Sequence, residues 1–389
     1  MNPQIVATAE PTSAAAEVLV LPAAAQVPDR ESAPLPASLI AGIAEHQANS
    51  RAHNTTRAYR SDWEGFERWC DAHDQVALPA SAETVAAFLT DRAAVLKPSG
   101  DYAYSPTTLA RWLTSINARH RAAGHREPGR MPMVATTMSG IRRGHARPTR
   151  RMAPLLLADL KKVLTTIDST SYPQGIIGTR DAAILMMGFA GAFRRSELAS
   201  RVLGDITLHP EDGLHVRLLT SKTDQEGRGS VKGLPFGSNP LTCAPCSFLR
   251  WVRVLDAAAF ESRGAMMRLL RESSIDTHIC QAPAPQLQRL DPKLPLFRTV
   301  RRGGHIGTAF LSGSAINDVV KRRLEAAGMD PTRFGGHSLR AGFVTQALRA
   351  GASPSEVARQ TFHRNLNTVL IYQRESTPLR QNAVTRLGL

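Results

Sequence analysis

Between Thr55 and His73 the apolar residues Tyr59, Trp63, Phe66 and Cys70 recur at steps of four, three and four. That period is one face of an amphipathic helix, and it must be buried against partners. Arg57, Arg60 and Arg68 fall on the opposite face. The pattern is helical from about Pro36 to Arg143. A second helix is predicted over Glu83–Leu96. A third begins at the N-cap Ser105 with Pro106 at its first position and runs to about Ala123. A fourth spans Val134–Arg143. Residues 38–145 therefore read as a compact helical bundle, and residues 1–36, rich in Ala, Pro, Glu and Ser without a period, as a disordered tail.

Arg142, Arg143, Arg147, Arg150 and Arg151 are interleaved with Gly and Pro, so residues 146–152 read as a basic linker. The second domain, 153–389, mixes element types. Helices are expected over Leu157–Ile167 and Thr179–Phe189 and from Phe248 onward. Short strands are expected at Asp205–Leu208, Leu214–Leu219 and Ser230–Leu234, with turns at Pro-Glu-Asp-Gly and Asp224–Gly229. Ser338–Ala350 ends at Gly351. Ser353-Pro354-Ser355-Glu356 is a capping box, and Asn367 is expected to cap a helix containing Tyr372. The segment 260–295 has no assignable period. The fold class is mostly α with a small antiparallel sheet: a helical bundle followed by an α+β domain.

Lys and Arg number 48 against 33 Asp and Glu, a formal net charge of +15. An excess dominated by arginine attracts polyanions and suits phosphate oxygens, so nucleic acid is the leading expected partner, with an anionic membrane second. No stretch approaches the ~20 apolar residues of a membrane span. Four cysteines, Cys70, Cys243, Cys246 and Cys280, read as reduced thiols of a cytoplasmic chain. Cys243-Ala-Pro-Cys246 lacks two further ligands at motif spacing, so no metal and no cofactor are expected.

Four pieces carry chemistry. Gly191-Ala-Phe-Arg194-Arg195-Ser-Glu197-Leu198 puts arginine at a loop-to-helix junction. Thr220-Ser-Lys222-Thr223 borders a hairpin turn. His337-Ser-Leu-Arg340 places two basic side chains on one side of a helix start, where free N–H groups and the dipole favour an anion. His363 precedes Tyr372 by nine residues.

In this order and spacing, the chain resembles the tyrosine recombinase (phage integrase) family, with its Cre- and Xer-type site-specific recombinases, from about residue 38 onward. The resemblance implies a SAM-like helical core-binding domain and a catalytic domain that clamp a duplex. It implies Tyr372 as nucleophile, Arg194 and Arg340 as phosphate clamps, Lys222 as general acid, and His337 and His363 as assisting histidines. Glu197 falls on the acidic residue that usually follows the first arginine. Arg195 is the alternative to Arg194, and Lys232 the alternative to Lys222. Phe362 stands where the family usually has Gly, and Ala341 where His or Lys is frequent.

These residue types suit phosphoryl transfer. A tyrosine of pKa ≈ 10 is a poor nucleophile, and two guanidinium groups offset the charge that builds on the phosphate. A general acid protonates the leaving 5′ oxygen. The resemblance further implies a 3′-phosphotyrosyl intermediate, no metal or ATP, and a homo-tetramer in the DNA synapse from protomers that are monomeric or dimeric when free. Arg57, Arg111, Asn117, Arg119, Arg142 and Arg143 are the candidate DNA contacts. Two other readings are a type IB topoisomerase-like strand-cleaving enzyme and a catalytically silent DNA-binding protein.

Overall fold

The computed structural model describes residues 36–49, 53–145, 152–218, 229–363, 365–376 and 387. The chain divides after Ala146 into two compact units. The tail expected at 1–36 falls outside the described residues except for Pro36, and the linker expected at 146–152 except for Met152.

The first unit holds α1 (Ala37–Asn49), α2 (His53–Ala72), α3 (Ala82–Ala94), α4 (Pro106–Ala122) and α5 (Pro132–Gly144). The periodic face of α2 makes its core: Trp63, Phe66 and Cys70 pack with Phe88 of α3, Leu109 and Ile116 of α4, and Val134 and Met138 of α5. Burying each such large side chain stabilises the bundle by roughly 1.5–3 kcal/mol. Ser105 caps α4 as its sequence predicts, its Oγ accepting from the Thr108 N–H at 3.2 Å. Helix α3 stops two residues before the expected Leu96, because Val95 is extended and Leu96 bridges to Tyr102.

The second unit begins with α6 (Leu157–Thr165), α7 (Gln174–Ala190) and α8 (Arg195–Ala199). A three-stranded sheet follows: β1 (Ile206–His209), β2 (Gly213–Leu218) and β3 (Ser230–Pro235), antiparallel in that order. Next come α9 (Ala244–Phe260), α10 (Arg263–Glu272), α11 (Gln286–Arg289), the hairpin β4 (Arg298–Val300) and β5 (Ile306–Phe310), and α12 (Gly313–Ala326). The unit closes with α13 (Gly336–Arg349), α14 (Pro354–Thr361) and α15 (Leu366–Ser376).

Helix α7 is apolar on nearly every side and runs through the core. It starts five residues before the expected Thr179. Its first turns contain Gly175 and Gly178, poor helix formers, but a Cβ on Gly178 would collide with the Asp168 carbonyl. The close approach of that turn requires glycine, which a propensity reading takes for loop. Asp181, fully buried in α7, binds Arg180 at 2.8 Å and receives Arg322 (2.7 Å) and Arg323 (2.8 Å) from α12. That cluster fastens α12 to α7.

In the sheet, Val216 pairs with Lys232, and β3 alternates so that Lys232 and Leu234 point into the core while Val231 is exposed. Helix α13 ends before Gly351, which has φ +98 and serves as the left-handed cap. Ser353 and Glu356 form the expected capping box on α14, with Ser353 N–H donating to Glu356 Oε2 at 2.7 Å. The cap of α15 is Asn365 rather than Asn367: its Oδ1 accepts from the Asn367 N–H at 2.8 Å, so the helix starts two residues earlier than expected.

Candidate active site

Helix α7 ends at Ala190, and the turn through Gly191 and Ala192 (φ +46) delivers Arg194 as the N-cap of α8. A left-handed alanine stores strain of order 1–3 kcal/mol, which the surrounding bonds must hold. Arg340 does so, its Nη1 donating to the Ala192 carbonyl at 2.7 Å. Arg194 donates its backbone N–H to Glu197 Oε2 at 2.9 Å and its Nη1 to Oε1 at 2.5 Å. Glu197 is buried, so its carboxylate fixes both the helix start and the Arg194 side chain. The neighbouring Arg195 is exposed on α8.

His337 lies in the first turn of α13 and Arg340 one turn on. That helix start is pinned by α12: Asn317 Oδ1 accepts from the Gly336 N–H at 2.9 Å. Arg340 is buried, only 2% exposed. Its Nη2 donates to the Thr361 carbonyl at 2.6 Å and contacts His363 Nε2 at 3.1 Å. Burial first, and Arg194 second, push its guanidinium down to about 10, which leaves it charged at neutral pH.

Thr361 settles the state of His363. Its hydroxyl donates to the Val357 carbonyl at 2.7 Å, so it accepts from His363 Nδ1 at 2.7 Å. The ring proton then sits on Nδ1, and Nε2 accepts from Arg340. Burial, followed by Arg340, Arg194, Lys232 and His337, pushes the imidazole down to about 4, so it is neutral. In this tautomer Nε2 accepts from Arg340 and braces it. The His337 Nε2 to Tyr372 Oη distance is 3.0 Å. Tyr372 is half-buried on α15, packed beside Val344, Val357 and Val369.

Lys222 lies outside the described residues. Lys232, its alternative, is 1% exposed, and its Nζ donates to the carbonyls of Gly191 (2.7 Å) and Gln360 (2.6 Å). The Phe362 ring lies 4.7 Å and the Phe193 ring 5.1 Å from Nζ. Burial pushes this ammonium down to about 7; Glu197 opposes the shift, and Arg340 and Arg194 add to it. Phe362 occupies a left-handed position, φ +54, where the family usually has Gly. The ring contact with Lys232 gives the side chain there a use that glycine lacks.

Sequence reasoning missed Asn317, Thr361 and Gln360. Gln360 Nε2 donates to Ala190 O at 3.0 Å and Gly233 O at 2.9 Å, tying α14 to α7 and β3. Only Lys232 had a sequence signal, a charge in register with the inward Leu234. Of the candidate DNA contacts, Arg57, Arg142 and Arg143 are exposed. Arg111 pairs with Asp62 at 2.9 Å, and Arg119 lies over the Trp63 ring at 5.8 Å. The amide oxygen of Asn117 is taken by the Gly129 N–H at 2.9 Å. Among the described residues the one group with metal-ligand geometry is Cys243, Cys246, His278 and Cys280. The expectation that Cys243 and Cys246 stand without further ligands is thus corrected, because the fold returns a distant loop to them.

No protein-family model matches the chain. It is 31% identical over 341 residues to an integrase/recombinase XerD homologue of Selenomonas ruminantium, across 87% of this chain and 86% of the relative. Tyrosine recombinase XerD of Xanthomonas axonopodis pv. citri is 26% identical over 325 residues, 82% of this chain and 87% of that one. The solved Tn1549 transposon integrase, in complex with transposon right-end DNA, shares the fold with a TM-score of 0.52 at 15% identity, covering 90% of this chain and 99% of that one. With identity sustained over most of both chains, the protein belongs to the tyrosine recombinase family, enzymes that cut and rejoin DNA strands at specific sites.

Proposed function

We propose that Tyr372 attacks a DNA phosphodiester to form a 3′-phosphotyrosyl link and release a 5′-hydroxyl. The observation that carries this reading is the 3.0 Å contact between Tyr372 Oη and His337 Nε2, one helical turn from Arg340. As the Oη–P bond forms and the P–O5′ bond breaks, the phenolic proton passes to His337. Arg194 and Arg340 bind the non-bridging oxygens and offset the second negative charge that builds in the pentacoordinate state. Glu197 positions Arg194, and His363 braces Arg340. The leaving oxygen takes a proton from Lys222. A 5′-hydroxyl from the partner strand then reverses the step, and bond energy held in the phosphotyrosine makes ATP unnecessary.

Each chain has one Tyr372, and exchange between two duplexes cuts four strands, so the active assembly is a tetramer on double-stranded DNA. Arg57, Arg142 and Arg143, exposed on the helical unit, contact phosphates and set affinity rather than sequence choice. Arg111 and Arg119 are held at its surface by Asp62 and Trp63 for the same task. Asn117 keeps only its NH2 for a base edge. No helix among the described residues is long and apolar enough to cross a membrane.

The test is a nicked suicide duplex drawn from the chain's own genomic neighbourhood, incubated with protein in EDTA and run on a denaturing gel. A covalent band that disappears in Tyr372→Phe, with duplex binding retained, supports the reading. A duplex that is bound and never becomes covalently attached to the wild-type chain overturns it in favour of a silent DNA-binding protein.

A further inference from the structure

Cys243 precedes α9 as its N-cap and Cys246 lies in its first turn. His278 and Cys280 come from the loop between α10 and α11, more than 30 residues away. The Cys243 and Cys280 sulfurs are 3.7 Å apart. His278 Nδ1 is 3.4 Å from the Cys246 sulfur and 3.8 Å from that of Cys280. All four ligand atoms lie within 4.8 Å of one another. A tetrahedral zinc ion with Zn–S about 2.3 Å and Zn–N about 2.0 Å has S···S edges of about 3.8 Å and S···N edges of about 3.5 Å. The three separations match those edges.

Two other accounts fit less well. A disulfide requires sulfurs about 2.05 Å apart, and these cysteines are free. A cluster of apolar thiols has no reason to draw an imidazole nitrogen, from a residue otherwise exposed, into contact with two sulfurs. The surroundings instead suit thiolates. The Gly237 N–H points at the Cys243 sulfur and the Ile279 N–H at that of Cys246, each at 3.3 Å. Buried Arg250, in electrostatic reach of all three sulfurs, offsets the net negative charge of three thiolates around a divalent ion. The same guanidinium holds the Ser274 and Thr277 carbonyls, both at 2.8 Å, and so presents the loop that carries His278 and Cys280.

We propose that Cys243, Cys246, His278 and Cys280 bind one zinc ion in a closed structural site. Soft thiolates with one imidazole select zinc over the hard cations, and four protein ligands leave no open position for catalysis. The site fastens the loop between α10 and α11 to the start of α9. Between residues 273 and 290 only Cys280 and Leu290 are buried apolar side chains, so that loop has little core of its own.

The full-length protein is purified from zinc-supplemented medium, and metal is counted by plasma mass spectrometry. Tightly held zinc at about one per chain is expected. Exchange for Co²⁺ should give intense tetrahedral ligand-field bands and thiolate-to-cobalt charge transfer. His278→Ala changes an exposed side chain and should fold, yet weaken metal retention by about tenfold or more. Cys280→Ser should abolish the charge-transfer pattern of three thiolates, while Cys70→Ala, in the other unit, leaves one zinc. Wild-type protein with under about a tenth of an equivalent of zinc and no cobalt–thiolate band overturns the proposal. So does zinc content and cobalt spectrum unchanged in both His278→Ala and Cys280→Ser.

Discussion

Replacing Arg340 by lysine keeps the charge and removes the fork. Three of the five guanidinium N–H groups are directed at the Ala192 carbonyl, the Thr361 carbonyl and His363 Nε2, joining the α7–α8 turn to the end of α14. Two remain for a phosphate. A lysine ammonium is a single point with three donors, so it cannot span both buried carbonyls and still present two donors to the substrate. One orphaned carbonyl costs about 1–3 kcal/mol of stability. Loss of a donor at the developing charge slows cleavage by about 10²–10³-fold, or roughly 2.7–4 kcal/mol of transition-state stabilisation. Two assays separate these effects: single-turnover formation of the covalent adduct on saturating nicked duplex, and thermal melting of the free protein. The expected variant melts lower and still binds duplex, but forms adduct at least ~100-fold more slowly. Adduct formation within ~3-fold of wild type would refute the assignment, since the geometry of the fork would then not matter.

Lys232→Met keeps the length of a buried side chain and removes a group pushed down to about 7 by burial. Between pH 7 and the ordinary lysine range near 10.5, the unfolded chain keeps a proton that the folded chain has lost, so wild-type stability rises with pH there. Below pH 7 both states hold the proton and the burden of the buried charge is complete. The methionine variant should lose this rising limb, a slope of up to about 1.4 kcal/mol per pH unit, in urea titrations at successive pH values; an unchanged slope would contradict the burial argument. Asp181→Asn leaves buried Arg180 and the largely covered Arg323 without their carboxylate and should cost roughly 3–5 kcal/mol in urea unfolding, and a loss under ~1 kcal/mol would mean that the arginines find other partners.

The features legible in the sequence are those set by near neighbours along the chain. The α2 stripe, the Ser105–Pro106 start of α4, the Ser353–Glu356 box and the three short strands all follow from helical or strand period and from capping within four residues. His337 and Arg340 share a helix face by their spacing alone. Where local signals competed, the reading slipped: the glycines that open α7 resemble a loop, and two asparagines compete to cap α15. Residues 260–295 gave no assignable period because the apolar face of α10 is short, Met266 and Leu270 one turn apart, and the loop after it takes its order from Arg250 and the Cys–His cluster.

Family resemblance marked Arg194, His337, Arg340, His363 and Tyr372 in the sequence, but their state depends on contacts made across the fold. Thr361 selects the tautomer of His363, Asn317 pins the helix that carries His337, and Lys232 is held by the carbonyls of Gly191 and Gln360. Gln360 and Ala190 are 170 residues apart and Lys232 and Gln360 are 128 apart. At such separations no period relates the partners, and many pairings are open to the same polar residues. Sequence by itself determined the elements and the chemical types at the site, because backbone preference and side-chain spacing act within a few residues. Tertiary structure alone decided which carbonyl, hydroxyl or sulfur each group meets, because a buried polar atom takes whichever partner the packed chain brings within about 3 Å.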